Sequence, residues 1–482
     1  MLFNSVEFAL FLPVVFLLYW FATGGKYRIQ NILLLFSSYY FYSCWSKKFL
    51  LLLIFSTLLD YFTGLKMADA KTGKEKTFWF WLSVGVNLGF LGIFKYYNFF
   101  ITSFAEGASQ LGLHAEISTL QFLLPVGISF YTFHGLSYVI DIYKDRIKPE
   151  KNFIDYAVFV CFFPLLVAGP IERATHLLPQ IKSPRVFQYS KAVDGLRQIL
   201  WGLFKKVVIA DNCAVFANAA FNDSTNQSGG TLFLGALFFA FQIYGDFSGY
   251  SDIALGTARL FGIELLRNFA FPYFSRDIAE FWRRWHISLS TWFKDYLYIP
   301  LGGSKGGTWM RVRNTFIIFL VSGFWHGANW TFIAWGFLNA LFIMPSILFS
   351  TNRINLNIVA QGRHLPDLKE FSSIVLTFFL TVFAWIFFRA DSMAHAFQYI
   401  GSIWKDAMSI LSVQTYSSSK YLIALILLFM GIEWAGRENQ YAIARIGFSW
   451  PRILRWKFYL LIGLVIFFYG NFNKTEFIYF AF

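Results

Sequence analysis

The sequence predicts an all-α protein that crosses a membrane many times. Of its 482 residues 57% are hydrophobic and only 14% charged, a balance far from that of a soluble domain. Apolar runs suited to a hydrocarbon core of about 30 Å, which takes roughly 20 helical residues, recur from one end to the other, and no long polar domain separates them. The simplest organisation is a single membrane-embedded body over residues 1–482, without internal repeats or low-complexity stretches.

Taken in order, the apolar segments fall at 6–22, 29–42, 49–65, 78–100, 122–140, 156–167, 199–220, 231–247, 251–263, 314–332, 333–349, 371–388, 421–434 and 457–470. Several are too short to span. Counting the long ones as crossings and the short ones as re-entrant, interfacial or paired half-helices gives roughly 11 transmembrane helices, within about two either way. The first run lacks a preceding basic region and a following small-residue cleavage site, so a retained helix is expected there, not a removed signal. Cys44, Cys161 and Cys213 sit in apolar surroundings without paired or metal-ligand spacing, and buried packing roles are expected for all three.

The formal net charge of +14 need not mean nucleic acid. The Lys and Arg residues concentrate in short loops between apolar runs, where positive charge holds a loop on the cytoplasmic side. Stretches 66–76, 144–151 and 437–457 are basic, whereas 103–119 and 222–230 contain neither Lys nor Arg. The long stretch 264–313 carries eight Lys and Arg residues and belongs with the cytoplasmic set. Threading the crossings through these loops places both termini on the outer side of the cytoplasmic membrane.

His326 lies within an apolar segment, between Trp325 and Gly327, where a titratable side chain is costly unless it faces protein or a water-filled cavity. An imidazole can accept and return a proton near neutrality. Gly323 and Gly327 would let a substrate or another backbone approach it, and Asn329 would share its face if the segment is helical. A core histidine hydrogen-bonded to a neighbouring helix fits the spacing equally well. His286 lies in 280–294, where Trp282, Trp285, Leu289 and Trp292 recur at helical spacing, which predicts an interfacial helix. Arg283 and Arg284 could meet phosphates there, or the segment could be a plain membrane anchor. The glycine-rich stretch 301–307 matches no nucleotide fingerprint and reads better as a turn.

Asp246 and Asp252 lie between apolar runs and should point inward. Six residues is not one face of a regular helix, so with Gly245 and Gly249 beside them a helix break is expected, with the acids lining a cavity or fixing neighbouring helices. His134 reads as a packed polar residue, and His114, His176, His364 and His395 carry no signal. No serine stands in a nucleophile elbow and no ligands stand at metal spacing, which disfavours a self-contained hydrolase or metalloenzyme.

Taken together, Met1–Ser5, Pro125–Phe133, Ser137–Asp141, Ala168–Arg173, Asp246–Asp252, Phe281–His286, Tyr298–Gly303, Trp325–Gly327 and Phe387–Ala390 resemble the membrane-bound O-acyltransferase superfamily. The likeness runs nearly end to end, with core motifs at 125–335, and is nearest the bacterial branch that acetylates alginate or peptidoglycan or transfers D-alanine to teichoic acids. The resemblance implies a ring of tilted helices around a thin central layer, with a funnel opening outward and a cytosolic entrance. It makes His326 the catalytic histidine and His286 a second histidine near the donor passage. Trp325, Asn329, Arg283 and Arg284 are the candidate substrate-binding residues, with Asn329 placed to orient the His326 imidazole. The resemblance further implies acetyl-CoA as donor, no bound cofactor or metal, and a separate extracytoplasmic serine (SGNH-type) acetyltransferase that modifies an exported polysaccharide. The alternatives are transfer of D-alanine or another acyl group to cell-wall polymers, and a non-enzymatic transporter in which His326, Asp246 and Asp252 form a pathway.

Overall fold

A computed structural model describes residues 1–113, 119, 124–166, 169–412, 417 and 419–472, and these contain helices and no strand. His114, residues 115–118, 122–123 and 167, and Ala168 lie outside the described residues. Among the described residues five helices are long and apolar enough to cross a membrane: Lys47–Asp69, Gly73–Gln110, Gly229–Leu260, Trp330–Leu348 and Leu368–Arg389. Val6–Ala22 is a shorter apolar helix. The described residues cluster into two compact units, one of residues 1–189 and 258–266, the other of 190–257 and 267–482.

In the first unit, side-chain caps set where the helices begin. The Ser46 and Thr72 hydroxyls accept the backbone N–H of Phe49 and Glu75, and the Asn152 carboxamide those of Ile154 and Asp155; each satisfies donors that a first helical turn leaves open. Over 156–166 the expected segment is two short helices, Phe153–Cys161 and Phe163–Leu166: Phe162 leaves the helical conformation, so Pro164 falls in the first turn of the second helix and not in a helix interior. A polar knot lies inside the unit. Asp60 accepts from Ser83 at 2.6 Å and Asn87 at 2.7 Å, and Gly135 leaves the space that its carboxylate fills. His134 is buried as expected, its Nε2 accepting the backbone N–H of Glu172. The Glu172 carboxylate in turn meets His176 at 2.7 Å and the backbone N–H of Leu266 at 2.6 Å. Cys161 is buried, but Cys44 is exposed, since it caps the C-terminus of Tyr27–Ser43 instead of packing inside.

In the second unit, the expected segments 231–247 and 251–263 are one unbroken helix, Gly229–Leu260. Its glycines do not interrupt it; they bring it against the Tyr189–Leu203 helix. A Cβ on Gly202 would stand 2.6 Å from the Gly249 carbonyl, one on Gly249 would stand 2.8 Å from that of Gly202, and Gly256 meets the Gly195 carbonyl in the same way. Small residues seven apart thus line one crossing, as in membrane helix pairs generally. The irregular turn falls on the partner: Phe204–Ala210 is π-helical, between Tyr189–Leu203 and Asp211–Asn222. The expected segment 314–332 also shifts. The helix runs Gly307–His326, Gly327 is extended, and Trp330–Leu348 returns alongside it, with Gly323 and Gly336 taking the close approach.

Candidate active site

Residues 267–293 set the first half of the site. The expected single helix over 280–294 is instead two short ones, Ile278–Arg284 and Ile287–Phe293, joined through Trp285 and His286. His286 is left-handed, with φ of 44°, a conformation costing a non-glycine residue roughly 1–3 kcal/mol and found mainly where the surroundings require it. The surroundings here are a backbone fold-back: the N–H of Ala270 donates to the Arg284 carbonyl at 2.9 Å, and that of Ile287 to the Asn268 carbonyl at 2.9 Å. The aromatic stripe faces protein, not a membrane surface, since Trp285, Leu289 and Trp292 are all buried.

His286 is 1% exposed. Its Nδ1 lies 3.0 Å from the Asn268 Oδ1, and its ring stands edge-on to Phe247 at 4.6 Å. Burial in this apolar shell pushes the imidazole down to about 3, so it is neutral throughout the physiological range. His326 ends the Gly307–His326 helix and is 4% exposed. Trp325, Trp335 and Phe388 enclose it at 4.8, 5.1 and 5.2 Å between ring centroids. The Phe332 ring occupies the space that a side chain at position 327 would need, which explains Gly327. The Trp325 ring also lies 6.2 Å from His286. One indole therefore separates the two imidazoles.

The other expected contact residues are engaged elsewhere. Asn329 does not share a helical face with His326, because the helix ends first; its Oδ1 caps Trp330–Leu348 through Thr331 and its Nδ2 donates to the Asp391 carbonyl. Arg283 donates to the carbonyls of Asn352 and Asn355, both at 2.8 Å. Arg284 holds Glu280 and the carbonyls of Ala270 and Asn357. These arginines brace the chain at 352–357. Buried Glu280, which pairs with both Arg276 and Arg284, was not singled out by the sequence.

Asp246 and Asp252 point inward as expected, but onto cations. Lys206 lies 2.8 Å from Asp246 and 2.9 Å from Asp211, and Lys205 lies 2.5 Å from Asp252. A small polar pocket sits beside this layer, lined by Lys205, Ser248, Asp252, Arg267, Asn268 and Glu433 among others. Lys205 and Lys206, adjacent cations in an apolar run, were a legible signal; Asn268, in an ordinary loop, gave none. Among the described residues no three His, Cys, Asp or Glu side chains converge as metal ligands would.

Comparison with known proteins bears directly on this arrangement. The sequence pattern of "MBOAT, membrane-bound O-acyltransferase family" matches residues 144–383. The probable alginate O-acetylase of Pseudomonas putida is 38% identical over 483 residues, covering 96% of each chain. The chain belongs to the membrane-bound O-acyltransferase family. Like that family it is a multi-pass membrane O-acyltransferase. The matched segment contains both histidines, Trp325, Asn268 and the Lys–Asp layer. The peptidoglycan O-acetyltransferase of Helicobacter pylori is 37% identical over 82% of this chain and 78% of its own length. The teichoic acid D-alanyltransferase of Streptococcus thermophilus is 31% identical over 52% of this chain and 63% of its own.

Proposed function

We propose that this O-acyltransferase moves acetyl groups from cytosolic acetyl-CoA across the cytoplasmic membrane for the O-acetylation of an exported polysaccharide. The observation that carries this reading is the pair of buried imidazoles on either side of Trp325, in a chain similar over nearly its whole length to an alginate O-acetylase. His326 acts as the base. It withdraws the proton of an acceptor hydroxyl as that oxygen attacks the thioester carbonyl; the carbon–sulfur bond breaks, and the imidazolium returns the proton to the departing thiolate. His286, held neutral, serves the donor side of the same centre. The glycine at 327 and the aromatic walls shape a dry compartment in which a developing oxyanion is not competed for by water.

The chain works as one body in the inner membrane with both termini outside, and hands the group to a separate extracytoplasmic SGNH-type acetyltransferase. The D-alanyl relatives match only about half of this chain, which favours acetyl as the group. The test supplies purified protein with labelled acetyl-CoA or a D-alanyl carrier-protein thioester, together with the partner acetyltransferase and its saccharide acceptor. Label should move from acetyl-CoA alone. Label arriving only from the D-alanyl donor would replace this reading with the other.

A further inference from the structure

We infer that Asn268 is a positioning residue for the acyl-transfer reaction: it fixes His286 as the Nδ1–H tautomer and so leaves the Nε2 lone pair on the open side of the ring. The inference rests on the role proposed for His286 and extends it to a residue outside the motifs that define the site.

The assignment follows from which groups can only donate. The backbone N–H of Ser288 points at the Asn268 Oδ1 at 3.3 Å, and the Ser288 hydroxyl donates to the same atom at 2.9 Å. A backbone N–H cannot accept, so the oxygen of the carboxamide, not its nitrogen, occupies that position. The other end agrees, because the Asn268 Nδ2 donates to the Ser251 hydroxyl at 3.3 Å. With an acceptor fixed 3.0 Å from the His286 Nδ1, that nitrogen must carry the proton. The remaining ring nitrogen is then an acceptor. It is buried and has no hydrogen-bond partner, in a compartment walled by Phe247 and Trp325.

A buried lone pair without a donor is rare in a folded protein. It is the arrangement expected where a proton or a polar group of a substrate arrives during turnover. The backbone repeats the anchoring: the Asn268 carbonyl accepts from Ile287, beside the left-handed His286, so one residue fixes both the strained turn and the tautomer. Asn268 also lines the polar pocket with Ser248, Ser251 and Asp252. Its carboxamide therefore lies between that pocket and the imidazole. No charged side chain is needed to hold the ring, which keeps it neutral; an aspartate in the same place would still offer Nδ1–H an acceptor oxygen.

The test uses the full-length protein with Asn268→Leu and Asn268→Asp. The His286 signal is assigned in histidine-selective ¹⁵N spectra by difference from His286→Gln. In the native protein His286 should show a protonated Nδ1 and a bare Nε2. In Asn268→Leu the protonation should redistribute between the nitrogens, kcat should fall on the order of 10- to 100-fold, and KM for acetyl-CoA should stay within about twofold, since the donor is not touched directly. Asn268→Asp keeps the acceptor for His286 and Ser288, so it should retain the Nδ1–H signal and recover at least about tenfold of the rate lost in Asn268→Leu. A native His286 protonated at Nε2, or an Asn268→Leu protein with undiminished kcat, would overturn the inference. So would an Asn268→Asp protein as slow as Asn268→Leu while equally well folded. A fully active His286→Gln would instead remove the catalytic role of that histidine, and the tautomer in Asn268→Leu is read from its nitrogen shifts whatever the rate.

Discussion

Two buried polar layers in the same unit meet the cost of burial in opposite ways. Around Lys205 and Lys206 every charge has an opposite charge within 3 Å: Asp252 on one lysine, Asp246 and Asp211 on the other. Around His286 and His326 the neighbours are rings, Phe247, Trp325, Trp335 and Phe388, and the one fixed partner of His286 is a neutral carboxamide. The paired layer sets charge against charge and holds helices together. The aromatic layer keeps His286 neutral and leaves its Nε2 without a hydrogen-bond partner. Both layers bury titratable residues, so burial alone does not mark function.

The comparison breaks first at Lys206. Lys206→Met leaves Asp246 and Asp211 buried without a cation, and a loss of about 3–5 kcal/mol is expected, seen as a lower thermal-inactivation midpoint in detergent; adding Asp246→Asn should return part of it. An unchanged midpoint would show that the layer is not structural. At the neighbouring crossing, Gly202→Val forces a side chain onto the Gly249 carbonyl, with an expected loss of about 1–3 kcal/mol. Gly85→Ala, which meets nothing within 4 Å, is the control and should be neutral or slightly stabilising.

Acidity separates the layers next. A free imidazole titrates near 6.5, and His286 in the fold is pushed down to about 3 by burial. The unfolded chain therefore takes the proton first. Stability attributable to this residue is unaffected above about pH 6.5 and falls as the pH drops toward 3; denaturation curves for His286→Gln should lack that component. The smallest effect is at the surface. Arg283→Gln should leave KM for acetyl-CoA within about twofold while making the chain at 352–357, whose carbonyls it holds, more open to proteolysis. A large rise in KM would return Arg283 to the donor site.

Much of this was legible before any coordinates. Long apolar runs gave the helices, and His326 was conspicuous because a lone imidazole in such a run requires a reason. The errors share one physical origin, the double meaning of glycine. Gly245 and Gly249 suggested a break, yet they permit a crossing in an unbroken helix; Gly327, of the same type, does mark an ending. Which applies depends on what packs opposite, and a linear pattern does not contain that. The tryptophan period around His286 likewise concealed a left-handed residue, because the fold-back onto Asn268 depends on chain 18 residues away. The helical face expected to join Asn329 to His326 is lost for a related reason: the helix ends at His326 and Asn329 caps the next one.

The central claim is that His326 is the base for acetyl transfer between a donor and an acceptor supplied on opposite faces of a membrane. Proteoliposomes with labelled acetyl-CoA on the cytoplasmic face of the protein and the partner acetyltransferase with its saccharide on the other test it most directly, comparing the native chain with His326→Ala at equal incorporation. The native protein should label the acceptor, and His326→Ala should do so on the order of 10²–10⁴-fold more slowly. Equal labelling by the two proteins would contradict the account.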